Sequence, residues 1–270
     1  MNVKFLHIPK TAGTSVRSFL SRFFAARHIC PPVDQSQFRD ISAERLQSFR
    51  IFSGHFHWRA LDQIEGPGFT FSILRQPVAR IVSFYFFLRA VAARSDPAKL
   101  SGPHMQGIHA ALNLPPDAFF CDGGSPEVRS HIDDLFDNFY TFYFAGRAFN
   151  ARRRIQKRNI PESKIVATAQ RNLDLLDGLY STDDLVSLQQ DIIDWVGRSG
   201  IGLGGTLRSR LIPLPRINLN TREGYFTSRV ADLKALGATY RTFERINDMA
   251  RLDSVTWAAR FGHIPVLRLD

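Results

Sequence analysis

Cysteine is nearly missing from this 270-residue sequence: Cys30 and Cys121 are the only two. Such a count excludes a disulfide framework, and no Cys/His spacing offers a zinc site, so both thiols are read as reduced and without a role. Long apolar runs are missing as well. Nowhere do 18 or more apolar residues follow one another, which excludes a membrane-spanning helix. The apolar pattern starts at Val3 with no basic segment and apolar leader ahead of it. The expectation is a soluble chain, cytoplasmic if it is full length and of the Golgi lumen only if an anchor once preceded it. Acidic side chains are in deficit, 25 against 35 basic ones, for a formal charge of +10. That balance favours an anionic ligand, a polyanion or a membrane surface and says nothing about the fold. Internal repeats, heptads and low-complexity tracts do not occur, which excludes solenoids and coiled coils.

What is present is an ordinary globular composition, 44% apolar and 22% charged, enough for one α/β domain over residues 1–270. Its organising stretch is Val3 to Ser15. Val3, Phe5, Leu6 and Ile8 read as a buried strand, Pro9 breaks it, and Val16, Phe19, Leu20 and Phe23 mark one face of a helix opening near Ser15 and fraying near Arg27. Strand, short loop and helix make an anion cradle, because loop N–H groups and the positive end of the helix converge on one point. Gly13 permits close backbone approach, the hydroxyls of Thr11, Thr14 and Ser15 add donors, Ala12 contributes its N–H, and Lys10 adds a mobile charge. The nucleotide-triphosphate loop places its Lys directly after a Gly; here Lys10 precedes Gly13 and Lys4 stands where the upstream Gly belongs.

Further on, Ser42 is expected to cap a short helix, and Ile51 to Trp58 alternates as a strand with Ser53, His55 and His57 on one face. Phe69 to Leu74 reads as a central parallel strand running into a helix with Pro77 at its first position and a stripe of Ile81, Phe84, Tyr85 and Leu88. Arg75, at the end of that strand, and Ser83, two turns into the helix, are candidates for a second phosphate. Residues 92–126, rich in Gly and Pro, read as an irregular insertion, either an acceptor-side lid or a variable surface loop. Helical character returns over 127–143, followed by the basic cluster Arg147, Arg152, Arg153, Arg154, Lys157 and Arg158, read either as a solvated face or as a surface for an anionic partner. Residues 164–195 read as helix, strand and a helix capped near Ser181–Thr182, 200–205 as a linker, 217–221 as a polar strand or loop, and 246–261 as the closing helix.

The order Pro9-Lys10-Thr11-Ala12-Gly13-Thr14-Ser15 resembles the 5′-phosphosulfate loop of sulfotransferases that use 3′-phosphoadenosine-5′-phosphosulfate (PAPS). The segment from Leu74 to Arg89 resembles the 3′-phosphate segment of carbohydrate sulfotransferases related to heparan sulfate 2-O-sulfotransferase, which assigns that phosphate to Arg75 and Ser83. The usual Arg-Asp-Pro is Arg-Gln-Pro here, with Gln76 in place of the acid. Ser53-Gly54-His55 matches the family's Gly-His segment, and Asn138 to Gly146 its Asn-x-x-Thr-x-x-x-x-Gly segment. The resemblance implies a P-loop-like three-layer α/β/α fold around a parallel sheet, PAPS as donor with 3′-phosphoadenosine-5′-phosphate (PAP) as product, and a saccharide hydroxyl as acceptor.

Sulfuryl transfer needs charge neutralisation at the leaving phosphate, a base at the acceptor hydroxyl and in-line positioning, and it asks for no metal. Lys10 is the candidate for the first. His55 is the candidate base, with His57 in reserve and His7 read as structural. Two other readings stay open: an atypical P-loop kinase or NTPase, which needs an acidic magnesium ligand at a strand end, and a non-enzymatic polyanion binder resting on the +10 charge. Nucleic acid is not an expected partner.

Overall fold

The computed structural model describes residues 1–31, 35–100, 102, 105–198, 225–262 and 267. The expected linker at 200–205 and polar segment at 217–221 lie outside these. In chain order the elements are β1 (Asn2–Leu6), α1 (Gly13–Leu20), α2 (Gln35–Arg39), α3 (Ala43–Ser48), β2 (Ile51–Gly54), β3 (Gly68–Leu74), α4 (Pro77–Arg94), α5 (Pro97–Leu100) and α6 (Gln106–Asn113). Then come α7 (Pro126–Leu135), α8 (Phe139–Gly146), α9 (Ala151–Gln156), α10 (Glu162–Leu173), β4 (Gly178–Ser181), α11 (Leu185–Arg198), α12 (Tyr225–Ala235), α13 (Tyr240–Met249) and α14 (Arg251–Phe261). The chain divides into two units. Among the described residues, the first holds 1–31, 35–75, 147–149 and 170–198, and the second the remainder.

The first unit contains the whole sheet, four parallel strands in the order β2-β1-β3-β4. Parallel strands are covered on both faces, which is why every residue of Ile51–Gly54 and of 71–74 in β3 is buried. Val3 pairs with both Ile51 and Phe69. On one face Val3, Phe5, Phe71 and Ile73 pack with Val16 and Phe19 of α1 and Leu188 and Ile192 of α11. On the other, Lys4 Nζ donates to the carbonyls of Leu61 and Ile64 at 3.2 and 3.0 Å, so this residue serves the frame rather than a phosphate. The α/β class with an all-parallel, helix-flanked sheet is as expected.

Three boundaries in this unit differ from the periodicity. α1 opens at Gly13 and ends at Leu20, where the Ser21 hydroxyl turns back to the Ser18 carbonyl at 2.7 Å, and only a single turn follows at Ala26–His28. β2 stops at Gly54 instead of continuing to Trp58, because the backbone N–H of His57 is diverted to Gln35 Oε1 at 2.7 Å and a 3₁₀ segment starts at Trp58. The cap of α11 is Asp184, whose carboxylate accepts from the N–H and hydroxyl of Ser187 at 3.1 and 2.6 Å, not Ser181 or Thr182. Ser42 caps α3 as expected, accepting from Arg45 N–H at 3.3 Å.

The second unit is helical. α4 begins at Pro77, and Gln76 Oε1 accepts from Ala79 N–H at 2.5 Å. An aspartate at this position is also a good cap, so Gln76 in place of the acid leaves the helix start capped. Residues 92–126 are not an irregular insertion: they carry the end of α4, α5, α6 and a helical turn at Ala118–Asp122, and Ala111, Phe119 and Phe120 are fully buried with Tyr85, Ile132 and Phe136. The closing helix is two helices, α13 and α14, and α14 is tied to α8 by reciprocal capping. Asn138 Oδ1 accepts from the N–H groups of Leu252 and Asp253 at 2.6 and 3.3 Å, while Asp253 accepts from those of Tyr140 and Thr141 at 3.0 and 2.8 Å. Burial pushes the Asp253 carboxyl up from 3.8 to about 6, against the opposing hydrogen bonds and the fully buried Arg80.

Asp253→Ala therefore leaves two buried N–H groups unpaired and a buried cation less balanced, and it should cost about 3 kcal/mol, read as a lower urea midpoint. The folded state holds the Asp253 proton more tightly than the unfolded chain does. Its stabilising share is thus complete below about pH 4 and is lost as pH rises through about 6. Asp253→Asn should flatten that slope.

Half of the basic cluster, Arg147, Arg152 and Arg153, is paired with carboxylates within its own unit. Arg152 meets Asp137 at 2.5 Å and Asp133 at 3.6 Å, Arg153 Nε meets Asp134 at 2.9 Å, and in the first unit Arg147 meets Asp62 at 2.5 Å and lies 4.4 Å over the Trp58 ring.

Candidate functional site

In a parallel sheet the ligand end is the carboxyl end of the strands. The residues that follow β1, β2, β3 and β4 are His7, His55, Arg75 and Thr182, none of them acidic. That denies the kinase reading the strand-end magnesium ligand it needs.

The loop after β1 has the form of an anion cradle. Lys10 and Ala12 both adopt left-handed backbone, φ 72° and 64°, on either side of Thr11, and Ala12 is the N-terminal cap of α1 with no side-chain acceptor on the helix N–H groups. Left-handed conformation costs a non-glycine residue about 1–2 kcal/mol, a strain characteristic of functional loops. No acidic residue lies in the first turn of α1. Thr11 is fully buried and its hydroxyl donates to the Ile8 carbonyl at 2.8 Å, so its hydroxyl proton is committed to the loop. Ser15 is buried, Thr14 exposed, and Lys10 half-buried at the loop's start. Gly13 lies against the His7 ring, so that a Cβ there would overlap Nε2 of His7 and the ring would have to move.

His55 sits one residue past β2. Its Nδ1 lies 3.2 Å from the His7 carbonyl oxygen; a carbonyl only accepts, so the proton is on Nδ1 and Nε2 carries the lone pair. The ring presents an exposed edge, yet enough protein surrounds it that burial lowers its pKa, opposed by that hydrogen bond. His55 is thus a neutral imidazole with a fixed tautomer, the state a general base requires. His57 is different. Its ring is buried, and Nδ1 accepts the Phe149 N–H at 3.2 Å, which ties it to the 147–149 segment.

His7, which periodicity assigns to the frame, stacks on His55 with centroids 4.6 Å apart. Burial, then the charges of His55, Lys10 and Arg17, lower its pKa to about 3, so it too is neutral. Arg17 Nη1 donates to the Ser53 carbonyl at 3.1 Å and so ties α1 to the end of β2. Neither residue stands out in the sequence. The one available signal is that His7 and His55 each follow the last paired position, Leu6 and Gly54, of strands that prove to be neighbours. Arg75 ends the first unit and is buried; Ser83 lies in α4 of the second and is buried as well.

Beside His57 the first unit has a cleft of about 430 Å³ lined by Gln35, Phe38, Arg39, Ile41, Arg59, Ala60 and Gln63. Among the described residues, the Arg39 and Arg59 side chains have no hydrogen bond or ion pair. No helix among the described residues is long and apolar enough to cross a membrane.

No curated protein matches the chain. Residues 2–107 match the model of the sulfotransferase family. The Lys10 loop, the His55 turn, Arg75 and Ser83 all lie inside the matched stretch.

Proposed function

We propose that this chain is a PAPS-dependent sulfotransferase that sulfates a hydroxyl of a saccharide. The observation that carries the reading is that the sulfotransferase match covers a strained, acid-free loop at the mouth of α1 beside a neutral His55 with a fixed tautomer. Bound at the loop, the donor supplies an activated sulfuryl group and a phosphate leaving group. The N–H groups from Thr11 to Ser15 and the amino terminus of α1 hold the 5′ side of the donor, and Arg75 and Ser83 take its 3′-phosphate. His55 Nε2 removes the acceptor proton as the acceptor oxygen bonds to sulfur. Lys10 neutralises the phosphate oxygen that keeps the electron pair of the broken S–O bond.

The cleft beside His57 suits an acceptor bearing a negative charge, since two unpaired guanidiniums border it. Arg39→Ala and Arg59→Ala together should raise the acceptor KM by about tenfold or more and leave PAP affinity unchanged.

The test is calorimetric titration with PAP beside ATP and AMP, repeated on Arg75→Ala. Preference for PAP that weakens with the Arg75 change supports the reading. Preference for ATP returns the kinase, and no nucleotide binding at all returns the polyanion binder.

A further inference from the structure

Residue 7 sits between the donor loop and the candidate base. Four rings form one column: Phe71 on Phe5 at 4.9 Å and 7°, Phe5 on His7 at 5.2 Å and 28°, and His7 on His55 at 4.6 Å and 25°. Its first two members are fully buried in the sheet core, and its last is the exposed His55, which Phe149 meets edge-on at 5.7 Å. The edge of the His7 ring occupies the space that Gly13 leaves empty, 1.8 Å from where a Cβ would be. One imidazole thus contacts the donor loop and the base together.

We propose that His7 is a positioning residue that holds His55 in register with the Lys10–Ser15 loop. The inference rests on the sulfotransferase reading of this site. Stacking fixes the plane of the His55 ring, and the His7 carbonyl fixes its tautomer through Nδ1. A five-membered ring also fits beside the Gly13 backbone. The charged groups facing His7 are Lys10 and Arg17, with His55 as the other titratable neighbour. All three keep the His7 ring neutral, so a proton taken from the acceptor resides on His55 and not on the ring beneath it. A merely structural His7 would serve β1 and leave the behaviour of His55 untouched.

The experiment is imidazole proton–nitrogen NMR titration of the whole protein and of His7→Ala, with PAP calorimetry and steady-state kinetics on both. In His7→Ala the His55 ring loses its cover on one side. Its titration should move up toward the ordinary histidine range, the acid limb of the kcat profile should move with it, and kcat should fall by about tenfold or more while the donor KM changes less. Unchanged His55 titration and unchanged kcat in a folded, PAP-binding His7→Ala protein overturn the inference. If His7→Ala does not fold, His7→Gln, which fills much of the space without a ring, carries the same test. Failure of the wild-type protein to bind PAP counts against the sulfotransferase reading alone, because the NMR arm still decides whether His7 governs His55.

Discussion

His55→Asn should lower the rate of sulfuryl transfer by about 10²–10⁴-fold while PAP still binds with wild-type affinity. Asparagine keeps a polar planar side chain of similar reach, so the stack on His7 loses area without opening the loop. What disappears is the lone pair on Nε2, the group able to receive the acceptor proton. The pH dependence of the wild-type protein carries a second expectation. A base works only when deprotonated, and burial lowers the pKa of His55. Activity should therefore persist to a lower pH than an ordinary imidazole would allow, and kcat/KM should fall only as pH drops through that lowered value. Full activity in His55→Asn would remove it as the base. His57→Asn should act differently, since the His57 ring is buried and held through Nδ1 by Phe149 N–H; loss there should appear first as reduced stability of the Trp58–Gln63 segment.

Lys10→Met should lower turnover by about 10²–10³-fold, the usual consequence of removing one group aimed at developing charge. Methionine is unbranched and of similar length, and the left-handed backbone at position 10 costs any non-glycine residue alike. The substitution therefore tests the charge and not the loop conformation. Lys10→Arg should recover only part of the rate, because a planar fork cannot reproduce a compact point charge at the same place. The measurement is single-turnover transfer at saturating donor, which separates the chemical step from donor affinity. Equal rates in Lys10→Met and wild type would place the leaving-group charge elsewhere, with the loop N–H groups as the remaining donors.

The two strand–loop–helix segments were legible because each is a local pattern. A run from Val3 to Leu6, a proline, a glycine and an apolar helical stripe specify a strand, loop and helix within 20 residues, and Pro77 after Leu74 specifies another. Capping by Ser42 needs only three residues of context. Residues 92–126 misled because Gly and Pro punctuate short helices as readily as loops, and only the burial of Ala111, Phe119 and Phe120 shows that this stretch carries core. Gln76 departs from the Arg-Asp-Pro pattern in residue type, yet its side chain caps α4, a role set by geometry that more than one residue type meets.

By itself, then, the sequence determined the α/β class, the Lys10 loop and the candidacy of His55, all of them readable within a few turns of chain. Tertiary structure alone decided how these residues work. The strand order β2-β1-β3-β4 sets His7 beside His55 across 48 positions, and the 147–149 segment returns to hold His57 across 92. Arg147 likewise finds Asp62 across 85 positions. Periodicity and spacing report the few residues around a position, whereas the tautomer, charge state and orientation of a side chain are set by whatever distant chain packs against it.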